Sequence, residues 1–156
     1  MAQNINLTKT YQSVTILGER NKMITKGIKE LCDEAEQEIE TLSVEDVLKL
    51  QNNDGIVLVD IRDIRELWRD GTIPGSIHAP RGMLEFWVDP QSPYYRRDFG
   101  SGKKFIFFCA GGMRSALAAQ AVQKMGLNPV AHMAGGFGEW EKANGPVEEK
   151  PFKKPK

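Results

Sequence analysis

A chain of 156 residues, 40% apolar and 27% charged, has room for one domain with a sizeable core and an extension. Its 21 basic and 21 acidic side chains cancel, which removes the global charge that draws a protein to nucleic acid or an anionic membrane. No apolar run nears the roughly 20 residues of a membrane helix, so neither nucleic acid nor a membrane is an expected partner. The opening MAQNINLTKTYQSV has neither a charged leader before an apolar core nor the arginines of a mitochondrial presequence. The two cysteines, Cys32 and Cys109, form no CxxC pair and no disulfide framework, and a reducing, cytoplasmic location is expected.

Residues 1–18 are polar and without a period. From Lys22 to Glu40 the apolar positions Ile24, Ile28, Leu31, Ala35 and Ile39 recur at steps of three and four, which predicts an amphipathic helix. Its stripe has two candidate covers: the body of the chain, or a second copy in a homodimer through this helix. Cys32 lies near the stripe as a packing residue, with a part in sulfur relay as the lesser alternative. A second helix starts at SVEDVLKL, with Ser43 as cap and Glu45 and Asp46 in its first turn. NNDG predicts a turn, and IVLVDIR a strand buried on both faces. DIRELWRDG predicts a short helix closed by Gly71, and TIPGSIHAP a turn with a short extended piece.

RGMLEFWVDPQSPYYRRDFGSG is the least regular stretch, expected to be a surface loop with one short helix. Its Tyr94, Tyr95, Arg96 and Arg97 are expected to be solvated rather than a nucleic-acid patch. KKFIFF predicts another buried strand. RSALAAQAVQKMG predicts a helix with Leu117, Ala121 and Met125 on one stripe and Gly126 as its stop. NPVAHM reads as a strand, AGG as a turn, FGEWEKA as a helix, and the charged tail 148–156 as flexible. Strands alternating with helices imply an α/β fold, a mostly parallel sheet with helices on both faces. Ligands in such sheets bind at the carboxyl ends of strands.

Cys109 stands at such an end, in KFIFFCAGGMRSALAAQAVQKMG. The useful nucleophile is a thiolate, whereas an ordinary thiol is mostly protonated at neutral pH. The helix that follows offers unpaired amide groups and its positive end. Gly111 and Gly112 let the backbone curl so that successive N–H groups point inward. Arg114 adds a full charge with no competing carboxylate in the loop. This cradle suits Cys–S⁻ and equally a persulfide, and needs no neighbouring general base. The alternative is a buried core cysteine. The only histidines, His78 and His132, are isolated in sequence and form no metal-ligand cluster, so no metal and no cofactor is expected. His132 reads as a core or edge residue of its strand.

CAGGMRS resembles the active-site loop of the rhodanese sulfurtransferases. LVDIRDIREL resembles that family's Asp-x-Arg strand end followed by a helix carrying Glu. GTIPGSIHAP resembles its Gly-His-Ile-Pro-Gly-Ala turn, with Thr72 in place of the histidine, and GGFGEWEKANGPV its closing segment. The four lie in order from Leu42 to Val147. The resemblance implies a rhodanese-like fold over 41–147, after an N-terminal helical extension at 1–40. It implies a ping-pong sulfurtransferase, in which Cys109 takes a sulfane sulfur from a small anionic donor such as thiosulfate. A thiol or cyanide acceptor then removes it. The amides of Ala110, Gly111, Gly112, Met113 and Arg114 would hold the persulfide, with Ser115 next in line. Asp60 and Arg62 would brace the loop, Arg62 as half of a structural ion pair, while Glu66, Trp68 and Trp140 read as scaffold. Related phosphatases use Cys-x5-Arg loops. Here Arg114 closes a Cys-x4-Arg loop of six residues, a smaller cradle that suits one sulfur atom. The contrasting alternative is a non-catalytic rhodanese-like binding or regulatory module, against which the retained Cys109 speaks.

Overall fold

A computed structural model describes residues 23–156. The polar segment 1–18 and the helix start at Lys22 lie outside them. The chain divides into two compact units, Met1–Leu31 and Cys32–Lys156. In the first, the described residues lead into helix α1 (Ile28–Glu38), and Met23, Ile24, Ile28 and Leu31 are exposed. In the second, Cys32, Ala35 and Ile39 are buried. The division falls inside α1.

The apolar runs form the middle of a five-stranded sheet in the order β1-β5-β4-β2-β3, with every neighbouring pair parallel. Its strands are β1 (Glu40–Leu42), β2 (Ile56–Asp60), β3 (Ile77–His78), β4 (Lys104–Phe108) and β5 (Val130–Met133). Strand alternation divides the core. Phe105 and Phe107 of β4 join Val59, Ala116, Ala119 and Val122 on one face. Ile106 and Phe108 join Val47, Ala131, Met133, Phe137 and Trp140 on the other. Two packed faces explain why these strands read as continuous apolar runs. β1 was not foreseen: three residues with two exposed ones carry no strand signal, and only pairing with β5 defines it.

The helices after α1 are α2 (Val44–Leu50), α3 (Ile64–Asp70), α4 (Leu84–Val88), α5 (Met113–Lys124) and α6 (Gly136–Lys142). Ser43 caps α2 and Asp63 caps α3, each in a reciprocal box with the residue three further on, Asp46 and Glu66. α5 buries Ser115, Ala116, Ala118, Ala119 and Val122. On the stripe of Leu117, Ala121 and Met125, Leu117 packs against the core and Met125 is exposed. The row of small alanines lets the helix lie close on the sheet.

The middle segment holds two short 3-10 turns, Arg81–Met83 and Arg97–Gly100, flanking α4. Arg96 lies over the Trp87 ring at 4.7 Å and pairs with Asp98 at 3.2 Å, so its charge is already engaged. The tail is less free than its composition implies. Glu148 exchanges two backbone hydrogen bonds with Thr72 (2.8 and 2.9 Å), and Phe152 meets Trp68 edge-on at 4.6 Å.

Candidate active site

Cys109 follows β4 directly, and its side chain is 1% exposed. The chain then curls through Ala110 and Gly111 to Gly112, whose φ of 102° is in the left-handed region that favours glycine. A Cβ on Gly112 would also stand 3.1 Å from the Gly135 amide nitrogen. Gly112 is the N-cap of α5 and offers no side-chain cap. The Cys109 sulfur takes that place. The Gly112 amide donates to Sγ at 3.2 Å and the Ser115 amide at 3.4 Å, so free amide groups of a helix start converge on the sulfur. Of the five amides expected to hold a persulfide, Gly112 reaches Sγ itself, and Ser115 supplies the second bond. Ala110, Gly111, Met113 and Arg114 sit on the exposed rim.

The loop is fastened from behind by α6. Phe137 donates its N–H to the Cys109 carbonyl (2.8 Å) and Gly138 donates to Ala110 (3.0 Å). Gly136 allows the approach: its φ is 61°, and a Cβ there would come within 2.5 Å of the Cys109 carbonyl oxygen. Gly136 and Phe137 are site residues that sequence reasoning passed over. The signal was present in the Gly-Gly pair, but a glycine read as a turn says nothing of what presses on it.

Asp60 and Arg62 lie at the end of β2, next to the loop. Both are buried, and their bidentate pair closes at 2.8 and 3.0 Å. The Arg62 guanidinium also donates to the Gly71 carbonyl (2.7 Å), and Thr72 donates to Asp60 (2.6 Å). Thr72 thus satisfies the carboxylate at the position where the family's histidine stands. The guanidinium rests 4.3 Å from the Phe137 ring, so the pair bears on the loop through Phe137 and makes no contact with Sγ. His78 approaches the Arg62 carbonyl oxygen through Nε2 at 2.7 Å, bracing the same knot.

Arg114 does not point into the cradle. Its two terminal nitrogens meet the two oxygens of Glu66 at 2.9 Å each. Glu66, read as scaffold, is therefore part of the site. The hydrogen bond from Arg114 holds its carboxyl below the ordinary glutamate value, against the opposing effect of partial burial. The competing carboxylate absent from the loop sequence arrives in space from α3.

His132 is the other residue whose role the sequence hid. Ala131 and Met133 face the second core, which turns His132 toward the Cys109 side of the sheet. It is fully buried, and its Nδ1 lies 3.0 Å from the Ser115 hydroxyl. That hydroxyl is 3.5 Å from Cys109 Sγ. Cys32 comes near the loop as well, its thiol donating to the Met113 carbonyl at 3.6 Å. Burial first, then Glu36, Asp33 and Cys109, push the Cys32 thiol up, which suits a packing residue more than a nucleophile.

The model of the rhodanese-like domain matches residues 43–143. The chain belongs to the rhodanese-like sulfurtransferase family. A mouse thiosulfate sulfurtransferase/rhodanese-like domain-containing protein 3 is 32% identical over 96 residues, 58% of this chain and 61% of that protein. The chain thus spans about three fifths of the mouse protein's length. A solved structure from Rhodopseudomonas palustris, described as a protein of unknown function and possible tyrosine phosphatase, is 58% identical with a TM-score of 0.78, over 80% of this chain and 96% of that one. The polysulfide-sulfur transferase homodimer of Wolinella succinogenes is 27% identical with a TM-score of 0.62, over 86% and 93%. The rhodanese-like fold read from four motifs is the fold observed.

Proposed function

We propose that this rhodanese-like chain is a thiosulfate-type sulfurtransferase that works through a persulfide on Cys109. The observation that carries the proposal is the pair of backbone amides, from Gly112 and Ser115, converging on a buried sulfur at 3.2 and 3.4 Å. Such donors stabilise a singly charged sulfur, whether thiolate or persulfide. In the first half-reaction the Cys109 thiolate attacks the outer sulfur of the donor. The new S–S bond forms, the old one breaks, and sulfite leaves with the electron pair. In the second, an acceptor thiolate or cyanide takes the outer sulfur and Cys109 leaves as thiolate. Ala110, Gly111, Met113 and Arg114 on the rim are positioned to meet the outer sulfur and its donor. A reducing, cytoplasmic setting goes with this chemistry, since free thiolate has to return each turn.

Intact mass measured after mixing with thiosulfate tests the proposal. Wild type gains one sulfur and loses it on adding cyanide, while Cys109→Ala gains nothing. Absence of the gain in wild type, with polysulfide as donor too, moves the non-catalytic binding module to the front.

Phosphatase chemistry is a second reading, suggested by the likeness to the R. palustris protein described as a possible tyrosine phosphatase. Two features weigh against it. The loop from Cys109 to Arg114 has six residues, and the arginine that would grip a tetrahedral oxyanion is clasped at both nitrogens by Glu66. Cys109-dependent hydrolysis of p-nitrophenyl phosphate would reinstate it.

A further inference from the structure

The Cys109 sulfur is sealed from water, yet it has to lose a proton before it can attack. We infer that His132, acting through the Ser115 hydroxyl, takes that proton, with Glu36 poised to steady the imidazolium. The contacts run in sequence. Cys109 Sγ is 3.5 Å from Ser115 Oγ, Ser115 Oγ is 3.0 Å from His132 Nδ1, and His132 Nε2 is 3.3 Å from Glu36 Oε1.

The chain is consistent in both of its proton states. The Glu36 carboxylate favours a proton on Nε2, which leaves the Nδ1 lone pair facing Ser115. The hydroxyl then donates to Nδ1, and its oxygen accepts from the Cys109 thiol. On ionisation the thiol proton moves to Ser115 Oγ as the hydroxyl proton moves to Nδ1. The products are a thiolate that receives a hydrogen bond from Ser115 and an imidazolium protonated on both nitrogens. No oxidant or outside base enters, and charge is conserved.

A second observation points the same way. His132 Nε2 is buried without a well-formed hydrogen bond, and Glu36 Oε1 lies 3.3 Å away. A buried ring nitrogen left unmatched is costly as a packing device, whereas a nearby carboxylate attracts a charge on the ring at this distance. Burial pushes His132 below the ordinary histidine value and Glu36 opposes it, so the ring is neutral and able to accept near neutral pH. The charged group acting on His132 is Glu36, which together with Asp33 and Cys109 also acts on Cys32 beside it on α1. Ser115 Oγ has one competing acceptor, the Gly112 carbonyl at 3.2 Å.

The inference deepens the sulfurtransferase reading at its first step and rests on it only for what the thiolate is used for. The test therefore omits sulfur donors. Alkylation of Cys109 by iodoacetamide is followed by peptide mass spectrometry from about pH 5 to about pH 9, on the full-length reduced protein. His132→Asn keeps an acceptor near Nδ1 but cannot take up a proton. It is expected to slow alkylation at neutral pH about tenfold and to move the profile to higher pH, less than the usual range of general base catalysis because the loop amides still stabilise the thiolate. Ser115→Ala is expected to match it, and the double variant to lose no more than either alone. Glu36 is half exposed, and Glu36→Gln is expected to fold normally and to slow alkylation about two- to threefold. Profiles of His132→Asn and Glu36→Gln that overlay wild type overturn the inference. If His132→Asn does not fold, the Glu36→Gln profile decides alone. Persulfide formation by wild type is measured separately, so failure of the relay and failure of the sulfurtransferase reading are distinguishable.

Discussion

Two strand ends stand side by side in this sheet, Asp60 opposite Phe108 in register, and the chain treats them in opposite ways. After β4, polar capacity is left uncommitted: backbone amides of a helix start converge on a sulfur. After β2, it is used up. Asp60 takes bonds from Arg62 and Thr72, and Arg62 spends its remaining reach on Gly71 and Phe137. Uncommitted donors beside a small polarisable atom can follow a charge that appears and leaves. A knot bonded at this many atoms is rigid, and rigidity is what it lends to its neighbour through Phe137.

The largest effect that separates the two ends is on stability. Arg62→Met leaves the Asp60 carboxylate buried and unpaired and is expected to cost about 3–5 kcal/mol in urea denaturation. Cys109→Ala, which removes the chemistry, is expected to cost only about 1 kcal/mol. Similar costs for the two variants would erase the contrast. Gly136→Ala strikes the join between them, with a left-handed φ and a Cβ driven against Cys109 and Ala110. A loss of about 2 kcal/mol or more is expected, with slower persulfide formation by the molecules that remain folded.

A pH series probes the buried histidine. The folded state holds His132 below its ordinary value of 6.5. The stability from keeping it neutral is present above the unfolded value and is lost as pH falls, because the unfolded chain takes up the proton first. The urea midpoint is therefore expected to drop between about pH 7 and about pH 5, and to drop less in His132→Asn. The smallest change belongs to the Arg114–Glu66 clasp on the rim. Glu66 is depressed, so the clasp contributes above the ordinary glutamate value and is lost as pH falls below it. Glu66→Gln is expected to cost under about 1 kcal/mol. It also frees the Arg114 charge and should lower KM for thiosulfate about twofold, an effect erased by salt. An unchanged KM would mean that Arg114 does not meet the donor.

What the sequence determined by itself was local or carried by short motifs. Buried parallel strands announce themselves as apolar runs, a cap as Ser43, and the curl after Cys109 as glycines before a helix. The family followed from four short segments, each a local backbone shape written in glycine, proline and charge. What only the tertiary structure decided was which distant groups meet. Glu66 reaches Arg114 from 48 residues away, and His132 reaches Ser115 from 17 residues away across two elements. The three residues of β1 became a strand only beside β5, and the alanines of α5 were brought against the sheet while Met125 was left exposed. These outcomes depend on distances set by sheet order and helix packing. No periodicity or spacing along the chain encodes them, because the partners are brought together by the burial of other residues.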